Sequence, residues 1–150
     1  MARVARFEID LDLAQQMAAA ARAVAQDEQA LISVAVVDAG GNLVCFERMD
    51  GAEIAGPVLA RDKAYTAVAH RIGTHELTAL VAPGADLAGM YAQDHGRYVA
   101  FAGGLPLWDG DRVMGAVGVS GGTGAQDLRA AEAAAALFER ARSAGDQVTA

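Results

Sequence analysis

Two runs of strand-forming residues each double back across a short turn, and that pattern dictates an antiparallel sheet. The first run, Leu31 to Val37 (Leu-Ile-Ser-Val-Ala-Val-Val), meets Asp38-Ala39-Gly40-Gly41-Asn42, residues that readily supply positive φ. Leu43-Val44-Cys45-Phe46-Glu47-Arg48 then returns as its partner. The second hairpin joins Leu105-Pro106-Leu107-Trp108 to Arg112 to Val119 across Asp109-Gly110-Asp111. Strand character also appears at Tyr98-Val99-Ala100-Phe101, before a break at Gly103-Gly104. The glycines at 115 and 118 lie inside the last strand, where they let a helix, a ligand or another backbone approach the sheet.

Helical periodicity fills the segments between. Asp10 or Asp12 can cap a first helix in which Leu13, Met17, Ala20, Ala21 and Val24 recur at helical spacing up to about Gln29. A second helix is predicted from near Ile54 to Pro57, with proline in its first turn, to about Ile72, and a short piece from Thr74 to Leu80 follows. Residues 81 to 98 read as loop with a helical turn, and Thr123-Gly124-Ala125-Gln126 has the spacing of a capping box before a last helix to about Ser143. The expected architecture is α/β of the α+β type, a profilin-like or PAS-like three-layer domain spanning residues 1–150 as a single unit. At this length roughly 70% of the unfolded surface is buried, so neither disulfide nor structural metal is needed.

Charge and hydropathy exclude several classes. A net charge of −7, with 12 basic residues spread along the chain, gives no footprint for nucleic acid or anionic lipid. No apolar run reaches the length of a membrane span, and the N-terminus reaches acidic residues before any apolar core of signal-peptide length, so cytoplasmic residence is expected. The alanine-rich helices suggest a homo-oligomer. Cys45, the one cysteine, sits in an apolar run as a small hydrophobe.

Residues able to carry chemistry are few. His70 and His75 are five apart, not the four that would align two imidazoles over a zinc ion, and His95 stands in a loop. Arg48-Met49-Asp50-Gly51 places an arginine beside a thioether and a carboxylate where a strand ends; Arg48 either forks onto a ligand carboxylate or pairs with Asp50 or Glu47 at the surface. In Arg61-Asp62-Lys63 three charges point about 100° apart, so at least one faces the sheet. Lys63 is then an anion anchor, a nucleophilic amine, or a lysine extended along apolar neighbours. Gly103-Gly104-Leu105-Pro106 and Ser120-Gly121-Gly122-Thr123 are either tight turns or, at the start of a helix, a cradle of amides for an anion.

Taken in order, Val34-Ala35-Val36-Val37-Asp38-Ala39-Gly40-Gly41, Arg48-Met49-Asp50-Gly51, Ala60-Arg61-Asp62-Lys63-Ala64-Tyr65-Thr66-Ala67, Gly103-Gly104-Leu105-Pro106-Leu107 and Gly115-Ala116-Val117-Gly118-Val119-Ser120-Gly121-Gly122 with Asp127 resemble the GlcG/HbpS family over nearly the whole chain. The resemblance implies five antiparallel strands between helices, assembly into homo-oligomers, and binding of heme or a related tetrapyrrole, with heme degradation in some members. The motif positions it singles out are Asp38, Arg48, Asp50, Lys63, Gly103, Gly104, Pro106, Ser120, Gly121 and Asp127. Axial ligands for a heme are available in His70, His75, His95, Tyr65, Met49 or Cys45.

Two functions follow as expectations. In the first, the chain is a small-molecule binding protein for heme or a related tetrapyrrole, with a site made of Asp38, Arg48, Met49, Asp50, Lys63, Gly103, Gly104, Pro106, Ser120, Gly121 and Gly122, and His70 as a candidate heme ligand. In the second, it is a cofactor-independent enzyme acting on a small hydroxy or keto carboxylate, with Arg48 orienting the substrate, Lys63 or His70 as acid, base or Schiff-base amine, and glycine amides stabilising an oxyanion. Both require the first hairpin, the middle helix and the last two strands to converge on one cavity.

Overall fold

The Asp10 carboxylate accepts a hydrogen bond from the Leu13 amide at 2.7 Å and thereby starts the first helix, α1 (Leu11–Asp27), in a computed structural model that describes residues 7–148. The chain continues as β1 (Ser33–Asp38), β2 (Leu43–Arg48), α2 (Gly56–His70) and α3 (Thr74–Leu80). Two single-turn 3₁₀ segments, Met90–Ala92 and Asp94–Gly96, precede β3 (Gly104–Asp109), β4 (Arg112–Ser120) and α4 (Gly124–Val148). Pro57 stands in the first turn of α2, where its missing N–H costs nothing. Thr123 and Gln126 cap α4 reciprocally, each amide bonded to the other's side chain at 2.9 and 3.3 Å.

The sheet has four strands, all antiparallel, in the order β2-β1-β4-β3. Five were expected, and the missing one is Tyr98-Val99-Ala100-Phe101. Its backbone groups are taken by threonines instead of a neighbouring strand: the Val99 amide donates to Thr66 Oγ1 at 2.9 Å, and the Ala100 carbonyl accepts from Thr78 Oγ1 at 2.8 Å. With those groups satisfied by side chains on α2 and α3, no ladder forms.

Alternation along the strands divides the core into two layers. Val34, Val36, Val117 and Val119 point to one face, where α1 and α4 cover them with Met17, Ala21, Ala131 and Phe138. Ala35, Val37 and Ala116 point to the other, where they meet Ala60, Ala64, Ala67 and Val68 of α2. The second contact is much closer. A Cβ on Gly118 would run into the Ala60 carbonyl, and one on Gly104 into the Lys63 carbonyl, so the helix backbone rests on the strands at these glycines. Among the described residues, no helix is long and apolar enough to cross a membrane.

Candidate functional site

The close approach of α2 to the sheet drives Lys63 inward. Its side chain is 1% exposed, and its ammonium donates to the Val119 carbonyl at 2.8 Å and to Asp127 Oδ2 at 2.9 Å. The ring of the half-exposed Phe101 lies 5.0 Å away on a further side. Asp127 belongs to the first turn of α4, where a carboxylate is favoured by the helix dipole, and its Oδ1 accepts from the Gly122 amide at 2.9 Å. Burial pushes the Lys63 amine down and the Asp127 carboxyl up from their usual ranges, and each charge opposes the shift of the other.

The same pair joins the two glycine turns. Gly103, at φ +122°, sits against both Val119 and Lys63, its carbonyl accepting from the Val119 amide at 2.9 Å. The neighbouring Gly104 amide donates to Thr74 Oγ1 at 2.9 Å. Gly121, at φ +140°, lies on the backbone of Leu31 and Ile32, where a side chain would collide. Lys63 and both glycine turns therefore meet inside one subunit. The anion that meets Lys63 there is the chain's own Asp127, and the Gly122 amide is engaged by the same carboxylate.

Outside this buried cluster, Arg22, Gln26, Leu31, Glu47, Arg48 and Met49 line an open depression of about 730 Å³. Asp50 lines it as well, and Leu31 also lines a second depression, of about 530 Å³, with Glu53, Gly121, Gly122 and Gln126. The two depressions meet at Leu31, which lines both, and together make the trough between the end of the first hairpin and the start of α4. Arg22 pairs with Glu47 at 2.5 Å, whereas Arg48 is exposed and makes no ion pair among the described residues. Met49 is half-buried, its sulfur accepting weakly from the Ile32 amide at 3.5 Å. The lining thus sets two arginines against the carboxylates of Glu47, Asp50 and Glu53, and Arg48, apolar Leu31 and the soft thioether of Met49 are the groups in it that suit a propionate, a ring face and a metal of a heme.

Other expected residues lie apart. Ser33 pairs with both Arg48 and Ser120, while Asp38 faces Gly115 five positions along β1, about 16 Å away. Asp38 holds the hairpin turn there, accepting from the Gly40 and Asn42 amides at 2.8 and 2.9 Å. Pro106 faces Ala116 midway along the edge strand, and Ser120 is buried at the end of β4. His70, two helical turns beyond Lys63, meets Tyr98 edge-on at 4.5 Å beside Tyr65, over which Arg97 stacks at 3.6 Å. Cys45 is buried in the α1/α4 layer, where burial pushes its thiol up. His75 and His95 are exposed, and no cluster of three metal-ligating side chains occurs among the described residues. Of the six candidate axial ligands, Met49 is the one that lines the trough.

Sequence reasoning missed Leu31, Arg22, Phe101 and Thr74 as site residues, none of which carries a motif, and gave Gln126 only a helix-capping role. It also passed over a count: Lys63 is the single lysine beside 11 arginines. A chain that uses arginine for every other basic side chain and lysine at one buried point is using the compact ammonium for its shape.

Residues 9–136 match the family described as "Haem degrading protein HbpS-like". The uncharacterized 15.0 kDa protein in the dhaT-dhaS intergenic region of Citrobacter freundii is 45% identical over 130 residues, 87% of this chain and 92% of that one. The crystal structure of Klebsiella pneumoniae protein ORFY superposes with a TM-score of 0.88 at 39% identity, covering 93% of this chain and 97% of ORFY. That of a PduOC:heme complex superposes with a TM-score of 0.84 at 37% identity, covering 87% and 95%.

Proposed function

We propose that this chain, which belongs to the HbpS-like family, is a binding protein for heme or a related tetrapyrrole, held in the trough between the first hairpin and the start of α4. The observation that carries the reading is the exposed Arg48 beside Leu31 and Met49, on a fold shared with a protein crystallised with heme. Arg48, exposed and outside any ion pair among the described residues, would receive a propionate, with Arg22 beside it. Leu31 would lie against the ring and Met49 would offer its thioether to the iron. A bound heme would supply a redox-active iron. The protein's part is to orient the propionates, to give one face an apolar support and to keep water from part of that face.

The reading assigns Lys63, Gly103, Gly104, Ser120, Gly121 and Gly122 to the wall and floor of the trough instead of to direct anion contact, because Lys63 and the amides of Gly104 and Gly122 are already hydrogen-bonded within the chain. That occupancy also favours binding over the carboxylate-enzyme alternative in its Lys63 form, which needs a free amine; with His70 as the acid or base, the chemistry would lie two helical turns from Lys63, beside Tyr98. Exposed Ile54, Val58 and Phe101, 82%, 62% and 50% accessible, support a further part of the reading, that copies of the chain associate with one another.

Titration with hemin tests the proposal. A saturable Soret band is expected, moved in wavelength by Met49→Ala and requiring roughly ten-fold more protein for half-saturation in Arg48→Ala, the scale of one lost charge-assisted contact. A featureless, non-saturable absorbance change would rule it out.

A further inference from the structure

We propose that the buried Lys63–Asp127 pair positions the ligand trough, by fixing the Gly121-Gly122 wall against Leu31. This rests on the tetrapyrrole-binding reading, since it assigns a task to residues behind that same site.

The connection runs through contacts in series. Lys63 is held on α2 by the close seat of Gly104 and Gly118 against the helix backbone. Its ammonium fixes Asp127 Oδ2 at 2.9 Å and the Val119 carbonyl, one residue before Ser120, at 2.8 Å. The other carboxylate oxygen of Asp127 takes the Gly122 amide at 2.9 Å, beside Gly121. Gly121 in turn lies on the Leu31 and Ile32 backbone in a left-handed conformation that no side chain would tolerate there. Leu31 is the residue shared by both halves of the trough.

Without the carboxylate the Gly122 amide loses its acceptor, and the turn is left to the Thr123–Gln126 cap and the Gln126 bond to the Glu28 carbonyl, which lie beyond Gly121 and Gly122. Without the ammonium the carboxylate is a buried charge with no counterion, and it would draw water into the turn. Asp127 and Lys63 are positioning residues: they touch the wall of the trough, not its contents. The use of lysine here and arginine everywhere else fits that task. A tetrahedral ammonium reaches a carbonyl, a carboxylate and a ring in three directions, which a planar guanidinium cannot do in the same space.

The test compares the wild-type chain with Lys63→Met/Asp127→Leu and with Asp127→Asn, measuring amide hydrogen exchange at Gly121 and Gly122 in the free protein and hemin affinity by Soret titration. The double variant replaces the pair by apolar groups of similar volume and is expected to fold. Exchange at Gly121 and Gly122 should quicken about ten-fold or more relative to Val34 and Val117 in the sheet core, a local change that a loss of global stability would not produce. Hemin affinity should fall about ten-fold. Asp127→Asn, which keeps an acceptor for the turn but no charge for Lys63, should give the same local change in smaller degree and serves if the double variant does not fold. Wild-type exchange at Gly121 and Gly122 in a folded variant would overturn the inference, as would unaltered hemin affinity. If wild-type chain binds no hemin, the binding proposal fails by itself, and the exchange measurement still decides whether the pair fixes the turn.

Discussion

On one face of the sheet Val34, Val36, Val117 and Val119 meet α1 and α4 through branched side chains, whereas on the other Ala35, Ala116 and Gly118 meet α2 almost backbone to backbone. The first layer is held by apolar volume, and volume can be redistributed among neighbours with small losses. The second has no side-chain atoms to redistribute at its glycines, so its geometry is set by carbonyls and Cα atoms. Fully buried polar side chains collect on that tighter side: Ser33, Lys63, Thr66 and Thr74, with Asp127 reaching in from α4. A tight seat fixes the polar groups, and the polar groups fix the turns that wall the trough.

The largest effect should come from Gly118→Val, which pushes a branched side chain into the Ala60 carbonyl. A loss above about 4 kcal/mol, seen as an unfolded circular dichroism spectrum, is expected. A folded Gly118→Val protein would show that α2 can lift from the sheet and would break the contrast between the faces. Next is Lys63→Met alone, which leaves Asp127 buried and uncompensated and should cost about 3–5 kcal/mol in urea unfolding, while Lys63→Met/Asp127→Leu returns near the wild-type value.

The pair also sets a pH dependence. The Asp127 carboxyl is raised, so the stability linked to its protonated form is present below its unfolded value of 3.8 and is lost as pH rises through the higher folded value. The Lys63 amine is lowered, so its linked stability is present above 10.5 and is lost as pH falls through the lower folded value. Relative to the apolar double variant, the wild-type chain should therefore be least stable between those two shifted values. A constant stability difference from acid to alkaline pH would contradict this. The smallest effect belongs to the first layer: Ile32→Val should cost only about 0.5–1.5 kcal/mol.

The hairpins, the capped starts of α1 and α4 and the proline-led start of α2 were legible because local chemistry decides them: Asp38 and Gly41 in the turn, Asp10 on the Leu13 amide, Thr123 with Gln126. Tyr98 to Phe101 was misread as a strand because its composition suits one. What prevents pairing is Thr66 and Thr78, 33 and 22 residues from the atoms they bond. The site divides in the same way. Lys63, Arg48 and the glycine turns stood out as residue types, but the partner of Lys63 is 64 residues away on another helix, and that partner turns a candidate anion anchor into a fastener. Asp38 belongs to the same motif set, yet its local role in the hairpin turn holds it at the far end of β1. Leu31, which joins the two halves of the trough, is one apolar residue among many in the sequence.

The two ends of α2 offer rival places for a ligand: the trough at one, and His70 with Tyr98, Tyr65 and Arg97 at the other. An amide chemical-shift map of the isotope-labelled chain titrated with zinc protoporphyrin, a diamagnetic stand-in for heme, distinguishes them. The account predicts saturable shifts at Leu31, Arg48, Met49, Gly121 and Gly122. Shifts confined to His70, Tyr98 and the Asp38-to-Asn42 turn, with the trough silent, would contradict it.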